Sequence, residues 1–128
     1  MANPSPKILV VDDDSNLAEV LSKLLQRKGF TVRIAYGGFE AIKATKEFLP
    51  DIILSDIKMA EGSGLDLLDF IKSSSSNPPP FIALMTGFTE TSEKELLERG
   101  AEKVFYKPVR INEVESMVLQ LTNTSERT

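Results

Sequence analysis

The chain is 128 residues long, 41% hydrophobic and 27% charged, which fits one globular domain with a sizeable buried core. It contains no cysteine and no histidine, which excludes disulfides, thiolate chemistry, Ser-His-Asp catalysis and imidazole metal ligation, and leaves carboxylate, lysine, hydroxyl and backbone groups for chemistry. A net charge of -4 argues against direct nucleic-acid binding, and no apolar stretch is long enough to span a bilayer. Residues 1–6 lack the apolar core of a secretory signal, so a cytoplasmic location with no membrane contact is expected.

Short apolar runs alternate along the chain with longer amphipathic ones. Ile8-Leu9-Val10-Val11 is continuous and β-branched, as a strand buried on both faces requires. After Asp12-Asp13-Asp14-Ser15 a helix is expected, with Leu17, Val20, Leu21, Leu24 and Leu25 on one stripe. The basic pair Arg27 and Lys28 followed by Gly29 closes it. A second strand spans Thr31 to Ala35, and Gly37-Gly38 leads into a helix carrying Ala41, Ile42, Thr45 and Phe48-Leu49 that Pro50 stops. Ile52-Ile53-Leu54 is a third strand, ending at Ser55-Asp56.

Residues 60–64 read as a glycine-containing loop, followed by a helix with Leu65, Leu67, Leu68, Phe70 and Ile71. Residues 73–80, rich in serine and proline, read as a mobile surface loop too short to link domains. Phe81 to Met85 is a fourth strand. A polar helix from about Glu90 to Arg99 is anchored by Leu96-Leu97 and ended by Gly100. Val104-Phe105-Tyr106 is a fifth strand, and the last helix carries Ile111, Val114, Met117, Val118 and Leu121. Five strand-helix pairs predict a single doubly wound α/β domain over residues 7–122, with helices on both faces of a five-stranded parallel sheet. Its expected strand order is 2-1-3-4-5, as in flavodoxin-like folds, with residues 1–6 and 123–128 as flexible termini.

In an open parallel sheet the ligand site lies beyond the carboxyl ends of the strands. Those ends deliver Asp12, Asp13 and Asp14 from the first strand, Asp56 from the third, Thr86-Gly87 from the fourth and Lys107 from the fifth. Each has an ordinary structural use. Asp13 to Ser15 can cap a helix, Asp56 can be a turn residue, Thr86 can bond its own backbone, and Lys107 can be solvated. Convergence on one rim favours function, because clustered carboxylates raise one another's pKa unless a cation lies among them. A hard divalent ion with oxygen ligands, magnesium above all, meets that need. Such a site with a lysine and a hydroxyl suits phosphoryl transfer, which needs in-line positioning and neutralised equatorial oxygens. Asp56, alone at a central strand, is the natural nucleophile. Asp12 and Asp13 are better placed as metal or water ligands, and Lys107 and Thr86 as holders of phosphoryl oxygens.

The chain resembles the receiver domain of two-component response regulators over nearly its whole length. The residues that carry the resemblance are Ile8-Leu9-Val10-Val11-Asp12-Asp13, Pro50-Asp51-Ile52-Ile53-Leu54-Ser55-Asp56, Gly64, Met85-Thr86-Gly87, Gly100-Ala101 and Lys107-Pro108. The resemblance implies a phosphoryl donor in the form of a phosphohistidine on a sensor histidine kinase or histidine phosphotransfer protein. It also implies a downstream effector protein or domain. It further makes Asp12 and Asp13 the acidic pair, Asp56 the acceptor, and Thr86 and Lys107 the switch hydroxyl and lysine, with the backbone carbonyl of Lys58 as a further Mg2+ ligand. Catalysis is then confined to the domain's own phosphorylation and dephosphorylation, and a phosphorylation-linked homodimer is left open.

Two positions depart from the family. Ala60 stands where proline is common four residues after the acceptor, and Val104 stands where an aromatic residue usually lies three positions before the lysine. The competing readings are an aspartyl-phosphate phosphatase and an unphosphorylated docking module. The first wants a second acid two residues after the nucleophile, where this chain has Lys58; the second is disfavoured by the complete set of site residues.

Overall fold

The computed structural model describes residues 6–59, 61–74, 79–87 and 92–127, with side chains described as far as residue 121. Its elements in chain order are β1 (Lys7–Val11), α1 (Ser15–Arg27), β2 (Thr31–Ala35), α2 (Gly38–Phe48), β3 (Ile52–Asp56), α3 (Gly64–Ser73), β4 (Phe81–Thr86), α4 (Glu93–Glu98), β5 (Lys103–Tyr106) and α5 (Ile111–Arg127). The five strands form one sheet in the order β2-β1-β3-β4-β5. Every neighbouring pair is parallel, with Ile8 opposite both Val32 and Ile52, and Leu54 opposite Ala83. The expected doubly wound sheet is therefore the observed one.

The twofold period of a strand sends alternate residues to opposite faces, and this divides the core in two. Ile8, Val10, Ile52, Leu54, Ala83, Met85 and Phe105 pack with Ala18, Leu21 and Leu25 of α1 and with Val114, Met117 and Val118 of α5. Leu9, Val11, Ile53, Ile82, Leu84 and Val104 pack instead with Ala41 and Ala44 of α2, Leu67, Leu68 and Ile71 of α3, and Leu96 of α4. Helices α1 and α5 thus cover one face and α2, α3 and α4 the other. Val104 and Phe105 point to opposite faces, as adjacent strand residues must.

The helices differ from expectation in three details. The buried stripe of α1 is Ala18, Leu21, Ser22 and Leu25, whereas Leu17 and Val20 are 45% and 55% exposed. The buried positions 18, 21, 22 and 25 form one helical stripe, which leaves Leu17 and Val20 on its flank. Helix α4 is shorter than expected, starting at Glu93 after the Ser92 cap, and Leu96 alone among its residues is buried. Glu90, where the expected helix began, lies outside the described residues, as do Ala60 and residues 75–78 of the expected 73–80 loop. Helix α5 runs to Arg127 and so includes residues 123–127, which the sequence had assigned to a flexible end.

Local signals explain several boundaries. Lys28 caps α1, and Gly29 follows at φ 99°. The Phe30 N–H then donates to the Leu25 carbonyl at 3.2 Å and the Gly29 N–H to that of Gln26 at 3.0 Å, which satisfies carbonyls a helix end would otherwise orphan. Helix α3 opens on a capping box. The Asp66 N–H donates to the Ser63 hydroxyl at 3.1 Å, and the Ser63 N–H donates to the Asp66 carboxylate at 2.9 Å.

Candidate functional site

A parallel sheet puts all its carboxyl ends at one edge, and the polar residues gather there. Among the described residues, Asp12, Asp13 and Asp56 form a cluster in which one carboxylate oxygen from each lies within 4.8 Å of the others. The three acids after β1 divide their roles. Asp14 caps α1, its Oδ1 accepting from the Leu17 N–H at 3.2 Å. Asp13 is exposed on the rim. Asp12 is only 2% exposed, and its Oδ1 accepts from the Asp14 N–H at 3.0 Å. The capping role open to Asp13 through Ser15 therefore falls to Asp14, and both members of the acidic pair face the cluster.

Asp56 ends β3, the central strand, and is nearly buried. Its Oδ1 accepts from the Ile57 N–H at 2.8 Å and its Oδ2 accepts from Lys107 Nζ at 2.7 Å. Two donors, one of them charged, orient this carboxylate. The Lys107 ammonium also lies 3.8 Å from Asp12 Oδ2. Thr86 ends β4, and its backbone carbonyl accepts from the Lys107 N–H at 2.9 Å, which ties the threonine to the lysine. The peptide bond from Lys107 to Pro108 is cis.

The Thr86 hydroxyl is not turned to Asp56 here. It donates to the Gly87 carbonyl at 3.0 Å, the local backbone use that the sequence also allowed. Lys58 is exposed and follows Asp56 by two positions. It lies in a loop whose ends are joined by the Gly64 N–H donating to the Ile57 carbonyl at 2.8 Å.

Electrostatics bear the mark of crowded charge. Burial pushes the Asp12 carboxyl above its ordinary 3.8 and the nearby charges of Asp56 and Asp13 add to this, against the lowering effects of the Asp14 N–H and Lys107. Burial alone would lower Lys107. Its hydrogen bond to Asp56 and the charges of Asp56, Asp12 and Asp13 outweigh that and raise it above 10.5. One ammonium among three carboxylates leaves the rim negative. The donor set is all oxygen, hard and anionic, which fits Mg2+ and suits neither a soft nor an imidazole-seeking metal.

Sequence reasoning missed the Ile57 amide, since any residue supplies an N–H and no side chain marks it. It also passed over the capping box of α3, whose signal, Ser63 with an acid three residues on, stands in the sequence.

A profile of the response regulator receiver domain family matches residues 8–119. The chain is 34% identical over 113 residues to the DNA-binding response regulator MtrA of Mycobacterium tuberculosis, a match covering 88% of this chain and 48% of that protein. It is 36% identical over 121 residues to the transcriptional regulatory protein ZraR of Salmonella typhimurium, covering 93% of this chain and 27% of that one. The chain thus spans about half the length of the first relative and about a quarter of the second. Among solved structures, the signal receiver domain of a response regulator from Bermanella marisrubri superposes with a TM-score of 0.83 at 28% identity, covering 92% of this chain and 98% of that one. A receiver domain protein from Clostridium thermocellum gives 0.84 at 27% identity, with coverage of 94% and 97%. Sheet order, rim chemistry and these likenesses agree: the chain belongs to the response regulator receiver family, the phospho-accepting domains of two-component signalling.

Proposed function

We propose that Asp56 is the phosphoryl acceptor of this domain and that the acids around it hold the Mg2+ the transfer requires. The observation that carries this reading is a carboxylate at the end of the central strand, with Lys107 Nζ at 2.7 Å and the carboxylates of Asp12 and Asp13 within the same 4.8 Å cluster. When bound, Mg2+ supplies positive charge against the phosphoryl oxygens. Asp13, Asp56 and the Lys58 carbonyl are its direct ligands in this reading, with Asp12 acting partly through water. The chain's own groups do the rest. The bonds from Ile57 N–H and Lys107 hold the Asp56 carboxylate in position for in-line attack. As the P–N bond of a phosphohistidine breaks and the P–O bond to Asp56 forms, the lysine is placed to stay with one phosphoryl oxygen. Thr86 gives up the Gly87 carbonyl for another.

Residues 7–122 are the functional unit in this reading. The donor is a sensor histidine kinase or histidine phosphotransfer protein and the recipient a downstream effector protein or domain. The domain catalyses nothing beyond its own phosphorylation and dephosphorylation. It works in the cytoplasm, as response regulators generally do, without touching nucleic acid or membrane itself, and phosphorylation-linked pairing of two copies remains compatible with it. No helix among the described residues is long and apolar enough to cross a membrane.

Incubation with acetyl phosphate and Mg2+ is expected to add one phosphate by intact mass, with chelation of the metal or Asp56→Asn abolishing it. Undiminished labelling of Asp56→Asn would contradict the assignment.

A further inference from the structure

Helix α2 starts without a side-chain cap. Gly37 occupies the cap position and has no side chain to accept from the first turn, although a helix start leaves several N–H donors in need of partners. Here the partners come from another loop. The Gly38 N–H donates to the Gly62 carbonyl at 2.9 Å, and the Phe39 N–H donates to the Glu61 carbonyl at 3.2 Å. Both carbonyls belong to the segment between β3 and α3, which follows Asp56 and contains Lys58.

The contact is backbone against backbone, and it leaves no room for side chains. A Cβ at Gly37 would stand 2.7 Å from the Glu61 carbonyl oxygen, and one at Gly38 would stand 2.6 Å from that of Ser63. On the facing strand of the contact, Gly62 has φ +83°, and a Cβ there would lie 2.9 Å from the Phe39 nitrogen. Behind them, a Cβ at Gly64 would overlap the Asp56 carbonyl oxygen. Close approach of this kind is what glycine permits and other residues prevent. The loop is therefore held at two places. Gly64 closes it against Ile57 beside the acceptor, and the start of α2 grips it at residues 61 and 62.

We infer that this clasp, Gly37 and Gly38 against Glu61 and Gly62, positions the β3–α3 loop for metal binding and so acts on phosphorylation through the metal. Gly38 is a positioning residue: neither it nor its partners are proposed to touch the phosphoryl group or the ion. The inference rests on the reading above, in which the Lys58 carbonyl and Asp56 are Mg2+ ligands. Displacing residues 61 and 62 would displace the short span joining them to Asp56, and a hard octahedral ion tolerates little error in ligand position.

The test is calorimetric titration of Mg2+ into the 128-residue chain and into Gly38→Ala and Gly100→Ala, paired with phosphorylation rates at limiting and saturating Mg2+. Gly100 has φ +115° and precedes β5 at the opposite end of the sheet, so its replacement loses stability without reaching the clasp. Gly38→Ala is expected to weaken Mg2+ binding by roughly tenfold, as loss of an outer-shell support does. Its phosphorylation should be slow at limiting Mg2+ and recover at saturation, while Gly100→Ala keeps the parent's affinity. A native-like Gly38→Ala with unchanged Mg2+ affinity overturns the inference.

If Gly38→Ala does not fold, hydrogen exchange in the parent chain decides. By linkage, Mg2+ should slow exchange of the Gly38 and Phe39 amides more than that of Arg99 and Gly100, and an equal effect on both pairs overturns the clasp. A parent chain that binds no Mg2+ overturns the site reading and the clasp together. Failure confined to the clasp comparison overturns the clasp alone.

Discussion

Lys107 and the proposed Mg2+ would act on the same carboxylates. The ammonium bonds Asp56 Oδ2 at 2.7 Å and lies 3.8 Å from Asp12 Oδ2, so it offsets part of the repulsion that an ion would otherwise relieve. Removing it makes the rim more negative. Lys107→Ala is therefore expected to bind Mg2+ as tightly as the parent or more so, while losing phosphorylation rate; loss of metal binding in that variant would refute the division of labour. Asp13→Asn should behave oppositely. It removes a proposed ligand, and its Mg2+ affinity should fall by at least the roughly tenfold typical of an outer-shell partner, with phosphorylation falling alongside. Calorimetry and a rate measurement on each variant separate the two roles, since only one of them moves both quantities in the same direction.

At the scale of elements, α4 is the weakly held part of the fold. It has one buried residue, Leu96, and a first turn carrying Glu93 and Glu95. Local openings concentrate where buried apolar contacts are few, so Leu96→Ala, costing about 2–5 kcal/mol by the usual range for buried leucine, should release α4 before the sheet. Exchange of α4 amides should rise far more than that of β1 or β3, and a uniform rise would contradict this.

Helix α4 is also tied to β5. Tyr106 hydrogen-bonds the Glu93 carboxylate, and partial burial, that bond and the Glu93 charge raise the phenol above its ordinary 10.0. The neutral phenol is the form the fold favours, so this contribution is complete below pH 10.0 and is lost as pH rises through the higher folded value. Ultraviolet titration should show a phenolate transition above 10.0 that disappears in Tyr106→Phe and moves down in Glu93→Gln; a Tyr106 transition at or below 10.0 would contradict the contact. With Val104 facing α4 where the family often has a ring, movement of Thr86 has less aromatic volume to rearrange. If Asp56 accepts phosphate as proposed, signal passage is expected to fall mainly to the chain after Thr86 and to α4. A phosphate mimic should change exchange protection between Thr86 and Lys107, and Thr86→Ala should blunt that change while still accepting phosphate. Residues 88–91 within that span lie outside the described structure.

For the molecule as a whole, periodicity carried most of the fold into view. Continuous apolar runs such as Ile8 to Val11 and Ile52 to Leu54 are what strands buried on both faces require, and the helices between them dictate a parallel sheet. The meeting of Asp12, Asp56 and Lys107 was legible for the same reason: a parallel sheet collects its strand ends at one rim, where Thr86 also ends its strand but turns its hydroxyl to the Gly87 carbonyl. Less visible was anything decided by backbone or by close packing. Leu17 and Val20 fit a helical stripe with Leu21 and Leu24 as well as Ala18 fits one with Leu21 and Leu25, and only packing decides which of the two faces the sheet. The cap of α2 by another loop's carbonyls leaves no side-chain signature, only glycines.

The central claim is that one carboxylate, Asp56, accepts the phosphoryl group although three acids share its rim. An acyl phosphate reduced with borohydride leaves a homoserine in place of the aspartate, which fragment masses can locate. After phosphorylation with acetyl phosphate and Mg2+, the account predicts homoserine at position 56 and at no other acid. Homoserine at position 12, 13 or 14, or a phosphate that survives without any at 56, would contradict it.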